Sequence, residues 1–397
     1  MGAFQFTGSI DAMHASAAQA RGLNDFGDPS YRAALEILCR SLDEDASLTP
    51  IGEFALQAMI GDALQARLLC EAGHHQFPEA RSNQVTRPLV IIGLPRTGTT
   101  ALHHLIAQDP KIQALEHWLE RTPKPRPSPD AWSSDEDFLA SAERVRMIFD
   151  RSPEMKAIHE IEAHLPDECW NLFAQNFAHS SYEANAHVPS YASWWASCDM
   201  TPVYRRHLRN VQLIGHREPE KRWLFKDATH LFDLDALLKV YPDACIIQTH
   251  RDPVSLIPSV CSLCWTARGA LNENMDQAGF GRSTLELWHR GIDGMMQARA
   301  RQPAAQFFDL PFERIVSDPI RAISDIYDYF DIEFTEEAES AMRDFREQHP
   351  KGKHGSHQYS LEEWSLNESE IRERFGDYMR AHGLASSHVA SNKEYSS

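Results

Sequence analysis

No run of apolar residues in this 397-residue chain approaches the roughly 18 needed to cross a membrane. Nor does a basic stretch lead into an apolar core at its start, which argues against a secretory leader. The opening Met1-Gly2-Ala3-Phe4-Gln5-Phe6 lacks the Ser or Thr of a myristoylation signal. These absences predict a cytoplasmic chain without a transmembrane segment. Positive charge is also scarce. A formal net charge of −18 disfavours non-specific binding of nucleic acid or anionic membrane. It leaves room for an anionic ligand, because a local pocket of arginines and helix N–H groups can oppose the global field. The seven cysteines (39, 70, 169, 198, 245, 261 and 264) are scattered and odd in number, as expected of reduced, mostly buried thiols. Cys261 and Cys264 form a C-x-x-C without a second pair, so no metal or redox centre is expected there. Internal repeats and long low-complexity tracts are absent as well.

What is present reads as an elaborated α/β protein. Between residues 10 and 80 apolar residues recur at helical spacing, as in Leu35, Leu38 and Cys39 and in Leu64, Leu68 and Leu69, with Asp28-Pro29-Ser30 as a helix start. The texture changes at Pro88. Leu89-Val90-Ile91-Ile92 is a short β-branched run, followed at once by a Gly/Pro/Thr loop and then by Leu102, Leu105 and Ile106 at helical spacing. Further strand-like runs occur at Trp223-Leu224-Phe225, at Ala244-Cys245-Ile246-Ile247 and near Gln306-Phe307-Phe308, with helical patterns between them. Such alternation predicts a parallel sheet with helices on its faces. The expected organisation is a helical cap over 1–85, an α/β domain over 86–380 and a flexible tail over 386–397. A helical insertion over about 122–215 opens on Pro123, Pro125, Pro127 and Pro129 and carries Trp170, Trp194 and Trp195, the material of a lid or acceptor pocket.

The loop Gly93-Leu94-Pro95-Arg96-Thr97-Gly98-Thr99-Thr100 fits the phosphate-loop pattern G-x-x-x-x-G-K-[ST] except at one place: Thr99 stands where the lysine belongs. Backbone N–H groups at a helix N-terminus suit an anion. ATP chemistry also needs that lysine at the β- and γ-phosphates, and Thr99 cannot supply its charge. The nearest cation is Arg96.

This loop resembles the 5′-phosphosulfate loop of sulfotransferases that use 3′-phosphoadenosine-5′-phosphosulfate (PAPS), in which Lys or Arg precedes S/T-G-T-T. A second element, Thr249-His250-Arg251-Asp252-Pro253-Val254-Ser255, resembles the family's 3′-phosphate site, where an Arg at a strand end is followed eight positions later by a Ser; here these are Arg251 and Ser259. The resemblance runs from about residue 20 to 380. It takes in Gly22-Leu23-Asn24-Asp25-Phe26-Gly27 and Lys351-Gly352-Lys353-His354-Gly355-Ser356-His357-Gln358-Tyr359-Ser360-Leu361, and points to a bacterial-type branch. It implies a P-loop-like three-layer fold with a central parallel sheet. It also implies donor contacts from Arg96, Thr97, Gly98, Thr99, Thr100, Arg251 and Ser259, with no metal. Lys351 and Lys353 are two further lysines in the region where the cytosolic branch has an Arg-Lys-Gly element that is not matched cleanly here.

Sulfuryl transfer then requires charge stabilisation, for which Arg96 and Lys226 are the expected cations, and removal of the acceptor proton. Candidates for the base are Glu116, His117 and His230, with His164 of the cluster His159, Glu160, Glu162 and His164 behind them. The expected acceptor is a hydroxyl, with an amine as second choice, of a small molecule, lipid or glycan; a homo-oligomer is compatible with the sequence. Competing readings are a divergent P-loop kinase or nucleotidase and a non-catalytic nucleotide-binding protein of the same fold.

Overall fold

The computed structural model describes residues 4–151, 161–349 and 359–384. Lys351 and Lys353, His159 and Glu160, and the expected tail lie outside the described residues.

Five parallel strands form the centre: β1 (Leu89–Gly93), β2 (Ile112–Gln113), β3 (Arg222–Lys226), β4 (Cys245–His250) and β5 (Phe307–Pro311), in the order β2-β3-β1-β4-β5. β1 is buried along its whole length because both faces of the sheet are covered, which is why its sequence is an unbroken apolar run. Side chains alternate between the faces. Leu89 and Ile91 join Leu102, Ile106, Leu224, Ile247 and Ile323 on one face. Val90 and Ile92 join Phe225, Ile246 and the N-terminal helical layer on the other. The two-residue β2 is the strand that the sequence pattern did not announce.

The N-terminal layer consists of α1 (Ile10–Arg21), α2 (Tyr31–Glu44) and α3 (Pro50–Gln76). Thr49 caps α3 by accepting the Gly52 N–H at 3.0 Å, with Pro50 at the first helical position. This layer shares the core cluster of the sheet through Leu35, Leu38, Leu64 and Leu68. Buried Arg67 ties it to the insertion, donating to the carbonyls of Phe26, Asp28 and Gln175 at 2.8–3.0 Å. Within 122–215 lie helices Glu136–Arg151, Trp170–Ala174, Ser181–Asn185, Pro189–Trp195 and Thr201–Ile214.

Strand register sets the site. β1 and β4 pair so that Gly93 lies opposite Thr249, and β1 pairs with β3 so that Ile91 lies opposite Lys226. The loops leaving the C-terminal ends of β1, β3 and β4 therefore emerge side by side, the usual location of a ligand crevice in open parallel sheets.

Candidate active site

The first loop is shaped by its glycines. A Cβ on Gly93 would stand 2.2 Å from Thr249 Oγ1, so only glycine lets β1 and β4 close at this point. Gly98 has φ of 85°, a left-handed conformation that side chains resist, and it opens α4 (Thr99–Ile106). Arg96 adopts φ of 71° without being glycine, a strain of about 1–3 kcal/mol that clusters at functional sites. Thr97 is fully buried. Its hydroxyl donates to the Leu94 carbonyl at 2.6 Å and lies 2.6 Å from Thr249 Oγ1, so it braces the loop from within and leaves only its backbone for a ligand. The first-turn N–H groups of α4 have no carbonyl within the helix to bond and face the concavity with the positive end of the helix dipole.

The second loop follows β4. Asp252 caps the helix Pro253–Gly269 by accepting the Val254 N–H at 2.9 Å, and Pro253 occupies its first position. This explains Arg-Asp-Pro: the last two residues start a helix, and the first is carried at its mouth. Half-buried Arg251 donates to the Arg96 carbonyl at 2.9 Å and lies over the Phe312 ring at 4.3 Å. Ser259, two turns along, accepts from Arg96 Nε at 3.2 Å. Burial and then the neighbouring Arg96 charge push the Arg251 guanidinium below its ordinary pKa. Two like charges gathered at one loop are a site that an anion would complete.

From β3 comes Lys226, nearly buried, with its ammonium 3.1 Å from Thr100 Oγ1 and ion-paired with Glu168. These residues share a cleft of about 590 Å³, within the usual size of a small-ligand site. Arg96, Gly98, Thr99, Thr100, Lys226 and Arg251 line it. Of the expected donor contacts, Thr97 and Ser259 are not among its lining residues, and Ser259 joins the group through Arg96. Ile161, Trp170, Leu263, Trp288 and Phe312 add apolar side chains to its lining.

The candidate bases are placed elsewhere. Glu116 pairs with Arg126 at 3.0 Å and faces a separate cavity, which His164 also lines. His230 is buried between Phe173 and Tyr204, its Nδ1 2.9 Å from the Tyr204 hydroxyl, and burial pushes its pKa down to about 4. His117 is 4% exposed and donates from Nδ1 to Asp167 Oδ2 at 2.7 Å, with Glu120 Oε1 at 3.3 Å. Burial works against its charge, yet hydrogen bonds to Asp167 and Glu120 outweigh it and push the pKa up to about 9. None of Glu116, His117 and His230 lines the cleft.

Carboxylates that do line it are Asp167, Glu168 and Asp227. Asp227 is 2% exposed and accepts the Thr229 N–H at 2.7 Å; burial raises its pKa, but His179 and these hydrogen bonds bring it down to about 2. Glu168 is the more accessible, its side chain 26% exposed. Sequence reasoning passed over Glu168, whose partner Lys226 stands 58 positions away. The one signal available was its place in Pro166-Asp167-Glu168-Cys169, close to the histidine cluster. Among the described residues, two clusters bring three possible metal ligands within 4.8 Å: His117, Glu120 and Asp167, and His250, Asp309 and His382. In the first, His117 Nδ1 already lies 2.7 Å from Asp167 Oδ2 and 3.3 Å from Glu120 Oε1. In the second, Arg299 holds both oxygens of Asp309 at 2.6 and 2.7 Å.

The comparisons agree on one family. A model described as "Sulfotransferase family" matches residues 88–336. The omega-hydroxy-beta-dihydromenaquinone-9 sulfotransferase Stf3 of Mycobacterium bovis is 24% identical over 306 residues, 73% of this chain and 75% of that protein. Among solved structures, sulfotransferase STF1 from Mycobacterium tuberculosis H37Rv superposes with a TM-score of 0.87 at 37% identity, covering 94% of this chain and 100% of that one. Sulfotransferase STF9 from Mycobacterium avium gives 0.88 at 29% identity, covering 96% and 98%.

Proposed function

Because this chain belongs to the sulfotransferase family and is a sulfotransferase, we propose that its donor is PAPS and its acceptor a hydroxyl on an apolar small molecule or lipid. The observation that carries the donor reading is the convergence of Arg96, Arg251 and Lys226 on a glycine loop whose lysine position is Thr99. Arg251 and Ser259 would hold the 3′-phosphate, through the forked bonds that guanidinium offers to phosphate. The N–H groups from Thr97 to Thr100 would hold the 5′ end. Arg96 is exposed and able to turn from Ser259 toward the sulfuryl oxygens.

In the reaction the acceptor oxygen forms a bond to sulfur while the bond from sulfur to the bridging oxygen of the bisphosphate breaks. Lys226 meets the charge developing on that side, and the acceptor's proton passes to Glu168. The Lys226–Glu168 pair supports this assignment: donor arrival gives Lys226 a stronger anionic partner and releases a carboxylate within the cleft. An apolar acceptor is favoured by the apolar side chains of Trp170, Leu263 and Trp288 and by the menaquinone-derived lipid in the name of the M. bovis relative.

Thermal unfolding with adenosine 3′,5′-bisphosphate against ATP plus Mg²⁺ tests the donor. The bisphosphate should raise Tm; stabilisation by ATP–Mg²⁺ with none from the bisphosphate would refute the reading and favour kinase-like chemistry.

A further inference from the structure

The three residues Asp167, Glu168 and Cys169 are held from opposite sides. The Cys169 N–H donates to the Lys226 carbonyl at 3.1 Å, which fastens one end to β3. The other end is fastened to α5 (His117–Arg121): the Asp167 N–H donates to the Leu115 carbonyl at 2.8 Å, and the His117 N–H to the Leu165 carbonyl at 3.1 Å. Between these anchors the Asp167 carboxylate does two jobs. Oδ1 accepts the Glu168 backbone N–H at 2.7 Å, and Oδ2 accepts the His117 Nδ1 proton at 2.7 Å. The same His117 Nδ1 lies 3.3 Å from Glu120 Oε1, which also accepts from Asn171 Nδ2 at 2.6 Å. Asn171 belongs to the helix Trp170–Ala174 that begins just after this segment. The Glu168 side chain is then what remains of the three to face Lys226.

We propose that His117 is a positioning residue: through Asp167 it fixes the backbone of Glu168, and so the direction in which the Glu168 carboxylate meets the acceptor hydroxyl. This rests on the reading of Glu168 as the proton acceptor. The geometry gives the role to His117 for two reasons. It is outside the cleft lining and almost wholly buried, so it acts through another group. It also faces two buried carboxylates, Asp167 and Glu120, that would repel each other without a cation between them. Neutral replacements of similar reach keep the packing but lose that charge.

The test measures turnover of labelled PAPS, with farnesol and with water as acceptors, and bisphosphate affinity by calorimetry. It compares wild type, His117→Gln, Glu168→Gln and the double variant. His117→Gln should lower kcat about 10- to 100-fold, the scale of a displaced catalytic group, with bisphosphate affinity kept within about twofold. In the Glu168→Gln background the same change should cost nothing further, because its effect runs through a carboxylate already removed. An equal loss in both backgrounds would make His117 merely structural and overturn the proposal, as would near wild-type kcat in His117→Gln beside a large loss in Glu168→Gln. Full turnover in Glu168→Gln would instead remove the reading on which the proposal rests. Should His117→Gln fold poorly, Asp167→Asn, which keeps an acceptor for the Glu168 N–H, should show the same kcat loss and the same non-additivity; additive losses there would overturn the proposal equally.

Discussion

Arg251 sits half-buried between an aromatic ring and the carbonyl of another arginine, a position that costs its charge some hydration before any ligand arrives. That cost is recovered when a phosphate accepts from the guanidinium. A charge-assisted bond of this kind is worth about 1.5–3 kcal/mol, so Arg251→Ala should weaken adenosine 3′,5′-bisphosphate binding roughly 10- to 150-fold. A nucleotide without the 3′-phosphate provides the control. Affinity for adenosine 5′-phosphosulfate, measured by the same calorimetry, should change by about twofold or less. An equal loss for both ligands would mean that Arg251 serves mainly to hold the Arg96 carbonyl. The contrast with His117 is instructive at this scale. Both residues carry charge beside the cleft, but Arg251 lines it, whereas His117 is enclosed by Asp167 and Glu120.

Among the elements, the join between β1 and β4 is the most sensitive. Gly93→Ala would bring a methyl group within 2.2 Å of Thr249 Oγ1, a hydroxyl already bonded to Thr97. Overpacking of this kind costs about 1–3 kcal/mol, so Tm should fall by several degrees and bisphosphate binding should weaken. Adding Thr249→Ala removes the obstructing hydroxyl and should recover part of both; no recovery would place the strain elsewhere. The segment that joins α5 to Asp167 adds a pH dependence. The folded-state pKa of His117 is raised to about 9, above its unfolded value near 6.5. Its contribution is therefore complete below about pH 6.5 and lost as pH rises through about 9. Buried Glu120, raised to about 7 by burial and by Asp167, shares the site. The Tm difference between wild type and His117→Gln should accordingly shrink between pH 7 and 10; a difference constant over that range would rule the charged pairing out. These elements also show what sequence can and cannot reveal. The strand, glycine loop and helix around Gly93–Thr100 were legible because they are contiguous, and Arg251 with Ser259 were singled out through the family resemblance. Glu168 was not, since it reaches Lys226 through tertiary pairing of the 163–169 segment with α5 and β3. His117 and His230 were singled out because they stand near positions where the resembling family carries its base, and their burial is a property of the assembled core that sequence position does not carry.

For the whole molecule, the decisive fact is a cluster of three cations beside the glycine loop of a chain of net charge −18. Arg96, Lys226 and Arg251 oppose that field within a few ångströms of the loop, where contact distances outweigh distant charges screened beyond about 8 Å at physiological salt. Donor phosphates can therefore bind against the global repulsion; on the proposed reading the acceptor meets instead the apolar side chains of the cleft, which offer no such compensation. Trp170, Leu263 and Trp288 remove apolar surface from water, worth about 25 cal/mol per Å². An anionic sugar chain would gain little there and would meet the unscreened remainder of the negative field. Neutral alcohols such as farnesol should consequently be sulfated with a kcat/KM at least about tenfold above that of a carboxylated glycan of similar size. Trp288→Ala should raise KM for the alcohol while leaving bisphosphate affinity within about twofold. Competition assays with labelled PAPS decide the point: a preference for the charged glycan, or a Trp288→Ala variant that loses donor affinity instead, would place acceptor recognition outside these side chains.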